Sequence, residues 1–146
     1  MSYLETKQLI LVKEEFEAVR VSVSYLEGSW PRLQVEQMPG TLKLVQVKRA
    51  ALNLEATYIV RLFSVFESVL RQLLPLRMAG STDRRNVYDL INRAASKWRI
   101  SAAVRDESHR IREFRNGSVH QNASGTSRLL FTEALAGLNQ FLGWLP

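Results

Sequence analysis

Cysteine is absent from the 146-residue chain. That excludes disulfides and thiolate chemistry and leaves any zinc site to His or carboxylates. Histidine is scarce as well, with only His109 and His120 present. No stretch reaches the roughly 18 uncharged apolar residues of a membrane span. The opening Met1-Ser2-Tyr3-Leu4-Glu5 reads as neither a signal peptide nor a transit peptide, so a cytoplasmic protein with no membrane role is expected. Sustained period-two alternation is missing, which argues against strands. Internal repeats and low-complexity segments are missing too.

What is present is 46% hydrophobic and 23% charged residues, the profile of a globular protein large enough to bury a core. One domain spanning 1–146 is expected. The net charge is +6 and unevenly placed. Residues 77–128 hold 11 Arg/Lys against 5 Asp/Glu, and the remainder holds 9 of each sign. The whole excess therefore lies in one segment. Such a patch suits a polyanion such as nucleic acid, or is simply an Arg-rich solvated face.

Hydrophobic spacing predicts helices throughout. Leu9, Val12, Phe16, Val19, Val23 and Leu26 step by 3-4-3-4-3, a stripe over roughly residues 3–27. Gly28-Ser29-Trp30-Pro31 ends it, and residues 31–41 read as a connector. A long second helix carries Val47, Ala51, Leu54, Tyr58, Leu62, Val65, Val69, Leu73 and Leu76, until Pro75 ends or kinks it. Asp83 is the expected cap of a third helix bearing Val87, Leu90, Ile91, Ala94 and Trp98. Ser101 caps a fourth. Thr126 or Ser127 caps a fifth, with Phe131, Leu135, Leu138, Leu142 and Leu145 inward. The prediction is an all-α bundle of four to five helices around one long central helix.

The fourth helix carries the chemistry. At 100° per residue, Val104, Ser108, Ile111, Arg115 and Val119 fall within about 80° of one another. Arg115 thus lies on the inward stripe, where a guanidinium must pair with a carboxylate, snorkel out or line a polar cleft. His120 follows where Gly117 is expected to fray the helix, close enough to swing toward Arg115. Asn116 either orients that imidazole, binds a phosphate oxygen or is an ordinary polar residue.

Arg115-Asn116-Gly117-Ser118-Val119-His120 resembles the motif of the HEPN superfamily, an Arg, a polar residue and then a His after four intervening positions. A second segment, Tyr58 to Arg71, resembles the long helix of several HEPN families, with an apolar run, Phe66-Glu67, and Arg71 four residues beyond the Glu. The order of helices agrees. The resemblance implies a metal-independent endoribonuclease of the toxin or defence-effector kind, without a cofactor. It further implies a homodimer with both motifs facing one cleft, and a cognate antitoxin protein as partner. His120 would move the proton at the 2′-hydroxyl or the leaving oxygen, and Arg115 would stabilise charge on the phosphate. Products would end in a 2′,3′-cyclic phosphate and a 5′-hydroxyl. Arg84, Arg85, Arg93, Lys97, Arg105 and Arg112 would hold the RNA backbone, with Trp98 or Tyr88 available to stack a base unless they are core residues. Glu67 and Arg71 are either a surface pair opposite the apolar stripe or supports near the cleft.

Two other classes fit parts of the sequence. A non-catalytic HEPN module would bind nucleic acid or scaffold a partner protein. A metal-carboxylate bundle would use Asp106-x-x-His109, but such centres need two Glu-x-x-His copies and two further Glu, and one Asp version exists here.

Overall fold

The computed structural model describes residues 3–33, 42–74, 86–119 and 129–146. Among these the protein is an all-α bundle with no strand: α1 (Tyr3–Ser29), α2 (Leu44–Leu73), α3 (Val87–Lys97), α4 (Ala102–Val119) and α5 (Phe131–Leu142), with one 3₁₀ turn at Trp30–Arg32. No helix among the described residues is long and apolar enough to cross a membrane. The long helix α2 is the hub, packing against α1, α3, α4 and α5.

Its stripe makes it so. Ile59, Leu62, Phe63, Phe66, Val69 and Leu70 are fully buried and present apolar surface to several neighbours at once. From α1, Leu9, Val12 and Phe16 enter this core, while Val19 is only half-buried. Phe16 stacks on Phe131 of α5 with ring centroids 4.1 Å apart and meets Tyr58 edge-on at 5.5 Å, locking three helices at one junction. Leu74 keeps its N–H bonded to the Leu70 carbonyl at 3.0 Å, and its own backbone leaves the helical region ahead of Pro75.

The ends of the helices are closed by polar side chains, not always the expected ones. At α2, Gln46 Oε1 accepts from the Lys43 N–H at 2.8 Å. For α3 the cap is Asn86, whose side chain accepts from the Tyr88 N–H at 3.2 Å. Asp83, the cap expected from sequence, lies outside the described residues. Asn86 serves because it immediately precedes Val87, the first residue of the buried stripe. Ser101 caps α4 as expected, through the Val104 N–H at 3.5 Å. At α5, Glu133 accepts from the Leu130 N–H at 3.1 Å, and Glu55 of α2 accepts from the Phe131 N–H at 2.5 Å. Thr126 and Ser127 lie outside the described residues. Where α4 and α5 cross, a Cβ on Gly137 would come within 3.0 Å of Glu107 Cγ and 3.1 Å of Ile111 Cδ1, so glycine sets the close approach.

The tight turn from α3 to α4 fixes how those two helices pair. Arg99 adopts φ 55°, and the Ile100 N–H returns to the Ala95 carbonyl at 2.9 Å, the pattern of a Schellman helix end. A left-handed conformation costs a non-glycine residue about 1–2 kcal/mol, and glycine's extra freedom when unfolded returns about 0.4–1 of that. Arg99→Gly is therefore expected to stabilise the fold by about 0.5–1 kcal/mol, raising the melting temperature by about 2–3 °C. An unchanged or lower melting temperature would show that the Arg99 side chain contributes more than its backbone costs.

Candidate functional site

Helix α4 presents the inward face drawn from its sequence. Val104, Ser108 and Ile111 are buried, and Ser108 satisfies its hydroxyl on the Val104 carbonyl at 3.2 Å. Arg115 continues that stripe toward α2, with its side chain 32% exposed. Nη1 donates to Asn116 Oδ1 at 3.0 Å, and Nη2 lies 4.0 Å from Glu67 Oε2. Nε is buried without a hydrogen-bond partner. The guanidinium is thus held from two sides but not saturated.

Glu67 is its charge partner, at the limit of ion-pair distance. Arg71 grips Oε1 of the same carboxylate, at 2.9 Å from Nε and 2.6 Å from Nη2. The other oxygen turns toward Arg115. With its side chain 19% exposed, Glu67 sits at the edge of the apolar stripe facing α4 rather than opposite that stripe. A Glu at this position contacts α4 as well as its own helix, which i,i+4 spacing alone does not reveal. Asn116, named in sequence as an orienting or phosphate-binding group, is engaged with its neighbour Arg115. Gly117 lies in the last turn of α4, which is described to Val119. His120 lies outside the described residues, as do Arg84 and Arg85.

One turn back from Arg115, α4 meets the start of α3 in a second polar cluster. The Arg112 guanidinium lies over the Tyr88 ring, 5.1 Å from its centroid. The His109 ring packs on the same tyrosine at 4.5 Å with a 31° tilt. His109 Nε2 is 3.1 Å from Asn92 Oδ1, so Nε2 carries the proton and donates. That tautomer leaves Nδ1 an acceptor, buried and without a partner. Arg112 Nε is likewise buried and unpartnered, and its side chain is only 17% exposed. Its remaining contact is Glu113 Oε1 at 3.5 Å. Among the described residues, the buried side-chain nitrogens without partners are therefore those of His109, Arg112 and Arg115, all on α4. Buried polar atoms without partners are uncommon in native folds, and among the described residues these three set α4 apart.

The four backbone-binding candidates divide between the two helices. Arg105 is committed to Asp106 Oδ1, at 2.9 Å from Nε and 2.7 Å from Nη2. Arg93 and Lys97 are exposed on α3 and, with Asn92, Ser96 and Leu74, line an open depression of about 530 Å³. Lys97 Nζ sits over the Trp98 ring, 4.7 Å from its centroid. Trp98 itself packs against the core, whereas Tyr88 is exposed. The sequence reading missed Asn92, and considered His109 only as a metal ligand. Their partnership depends on how α3 and α4 pair, and no local spacing encodes that. Asp106 and His109 point to different partners, and no group of three His, Asp or Glu side chains is placed to hold a metal among the described residues.

Burial is the main reason that His109 titrates below the ordinary histidine range, and the charges of Arg112 and Arg105 add to it against a smaller opposing pull from Asp106 and Glu113. The folded protein therefore resists protonating this ring while the unfolded chain accepts the proton near pH 6.5. Stability from this residue is fully present above that pH and is lost as the pH falls through the lower folded value. His109→Gln is expected to flatten the decline in urea midpoint between pH 7.5 and 5.5. Identical slopes for the two proteins would show that other groups set the acid limb.

Neither a protein-family model nor a curated protein nor a solved structure matches this chain.

Proposed function

We propose that this protein is a metal-independent endoribonuclease of the HEPN kind, acting as a homodimer with the motif of each copy facing a shared cleft. The observation that carries the reading is Arg115. It is an arginine on the inward face of α4, a third exposed, oriented by Asn116 and Glu67 yet with donors to spare. A planar guanidinium fixed in this way suits two oxygens of a phosphodiester.

In the proposed reaction a His120 imidazole removes the proton from the ribose 2′-hydroxyl, and the 2′-oxygen attacks the adjacent phosphorus. The bond to the 5′-oxygen breaks, and that oxygen takes a proton from an imidazolium. Arg115 neutralises charge that builds on the non-bridging oxygens. The RNA backbone lies along Arg93 and Lys97. A toxin or defence role, restrained by a cognate antitoxin protein, accords with such an activity. It predicts slow growth on expression that His120→Ala relieves at equal protein level.

The test is cleavage of a mixed RNA pool in EDTA by wild type, Arg115→Ala and His120→Ala, with the ends identified. Cyclic-phosphate ends from wild type alone support the assignment. A second reading is a non-catalytic module that binds nucleic acid or scaffolds a partner. It is favoured by the same arginine's contacts within its own fold, to Asn116 and Glu67, which also suit a structural role. Salt-dependent RNA binding by a dimer that cuts nothing supports that reading instead.

A further inference from the structure

We propose that Tyr88, backed by His109 and Arg112, is a stacking platform for an unpaired nucleobase next to the phosphate held by Arg115. This rests on the reading of the protein as an RNA-acting one, not on its being catalytic.

Tyr88 is the second residue of α3 and its side chain leaves the bundle, 45% exposed. An exposed tyrosine is ordinarily mobile. Here α4 holds it, with the His109 ring 4.5 Å away and the Arg112 guanidinium 5.1 Å from its centroid. Both come from α4 and pack on the ring. Beside these contacts Tyr88 keeps 45% of its surface exposed. Asn92 fixes His109 from behind at 3.1 Å, and the Asn86 side chain fixes the first turn of α3 by accepting from the Tyr88 N–H itself. The ring is therefore set in place before any ligand arrives, which lowers the entropic cost of stacking. A cation packed behind an aromatic ring also suits it to a base beside a negatively charged backbone.

The position along α4 links the platform to Arg115. Arg112 and Arg115 are three residues apart, a rise of about 4.5 Å and a turn of about 60° around the helix. That separation is shorter than one extended nucleotide, so a phosphate at Arg115 places a neighbouring base at Tyr88. Single-stranded RNA is the form that can splay a base out in this way; a duplex cannot without melting. Asp89, Asp106 and Glu113 are the acidic groups near this surface. Asp106 is paired with Arg105, Glu113 lies beside Arg112, and Asp89 follows Tyr88 on the exposed side of α3, so the cation nearest the ring is Arg112.

The experiment measures binding of a fluorescent 2′-O-methyl single-stranded RNA, which cannot be cleaved through its 2′-oxygen, to the full chain. Tyr88→Phe keeps the ring, and Tyr88→Leu keeps apolar packing against His109 and Arg112 but removes the π face. Tyr88→Phe is expected to bind as wild type does, and Tyr88→Leu at least about fivefold more weakly. The dependence of affinity on salt should be unchanged in Tyr88→Leu, because no charge is lost, and shallower in Arg112→Gln. Equal weakening by both tyrosine variants would overturn the platform, since the hydroxyl would then be the group that matters. Undiminished binding by Tyr88→Leu would overturn it too, as would wild type binding no single-stranded RNA. Platform behaviour in a protein that leaves ordinary RNA intact would sink the ribonuclease reading and leave this one standing.

Discussion

Arg115→Ala is expected to slow RNA cleavage in EDTA by about 10²–10³-fold, the usual cost of removing one fixed donor from developing charge. The fold should tolerate the change. Removing this guanidinium eliminates a buried unpartnered Nε and strands no carboxylate, because Arg71 still grips Glu67. Stability should therefore shift by no more than about 1 kcal/mol. Arg115→Lys should restore little, since an ammonium offers a point charge where the fork of a guanidinium meets Asn116 and, in the proposed reaction, a phosphate. Glu67→Gln should be milder than either, because the neutral amide keeps the shape of the contact while loosening a partner already 4.0 Å away. Urea midpoints measured beside cleavage rates separate the two effects. Cleavage by Arg115→Ala at more than a tenth of the wild-type rate would remove Arg115 from the chemistry.

The helices were legible from the sequence because each buries one stripe, and the stripe is periodic. Val104, Ser108 and Ile111 are inward as their spacing requires, and Arg115 follows them. Boundaries were less legible. The first helix reaches Ser29 rather than ending near 27, since one helical glycine at Gly28 weakens a helix without stopping it. Gly117 behaves alike inside α4. The cap of α3 was misplaced from Asn86 to Asp83 because both are good caps and only the start of burial distinguishes them. Least legible were the contacts between helices. Glu67 reads along α2 as half of an i,i+4 pair with Arg71, and its second oxygen finds Arg115 only once α4 has docked. Tyr88, Asn92, His109 and Arg112 come from two helices whose relative rotation is set by a four-residue turn with Arg99 left-handed. Nothing periodic in the sequence carries that angle.

Phe66→Ala is expected to cost about 3–5 kcal/mol, a large share of the roughly 5–15 kcal/mol that holds a domain folded. Phe66 is wholly buried at the centre of α2, edge-on to Phe141 of α5 at 5.3 Å and 5.5 Å from Phe63. No side chain nearby is free to fill the space, because Phe63, Leu62, Leu70 and Phe141 are themselves fully packed. Phe66→Leu keeps most of the volume and should cost less than about 2 kcal/mol. The position matters beyond stability. Phe66 is wholly buried on α2 and directly precedes Glu67, which turns its carboxylate toward α4. A cavity there is expected to let α2 and α5 settle together and to carry Glu67 away from Arg115. The leucine variant should therefore lose cleavage activity out of proportion to its small loss of stability. A urea midpoint for Phe66→Ala within 1 kcal/mol of wild type would place the centre of this core elsewhere. A leucine variant with full activity would show that the Glu67 to Arg115 contact does not depend on how α2 is seated.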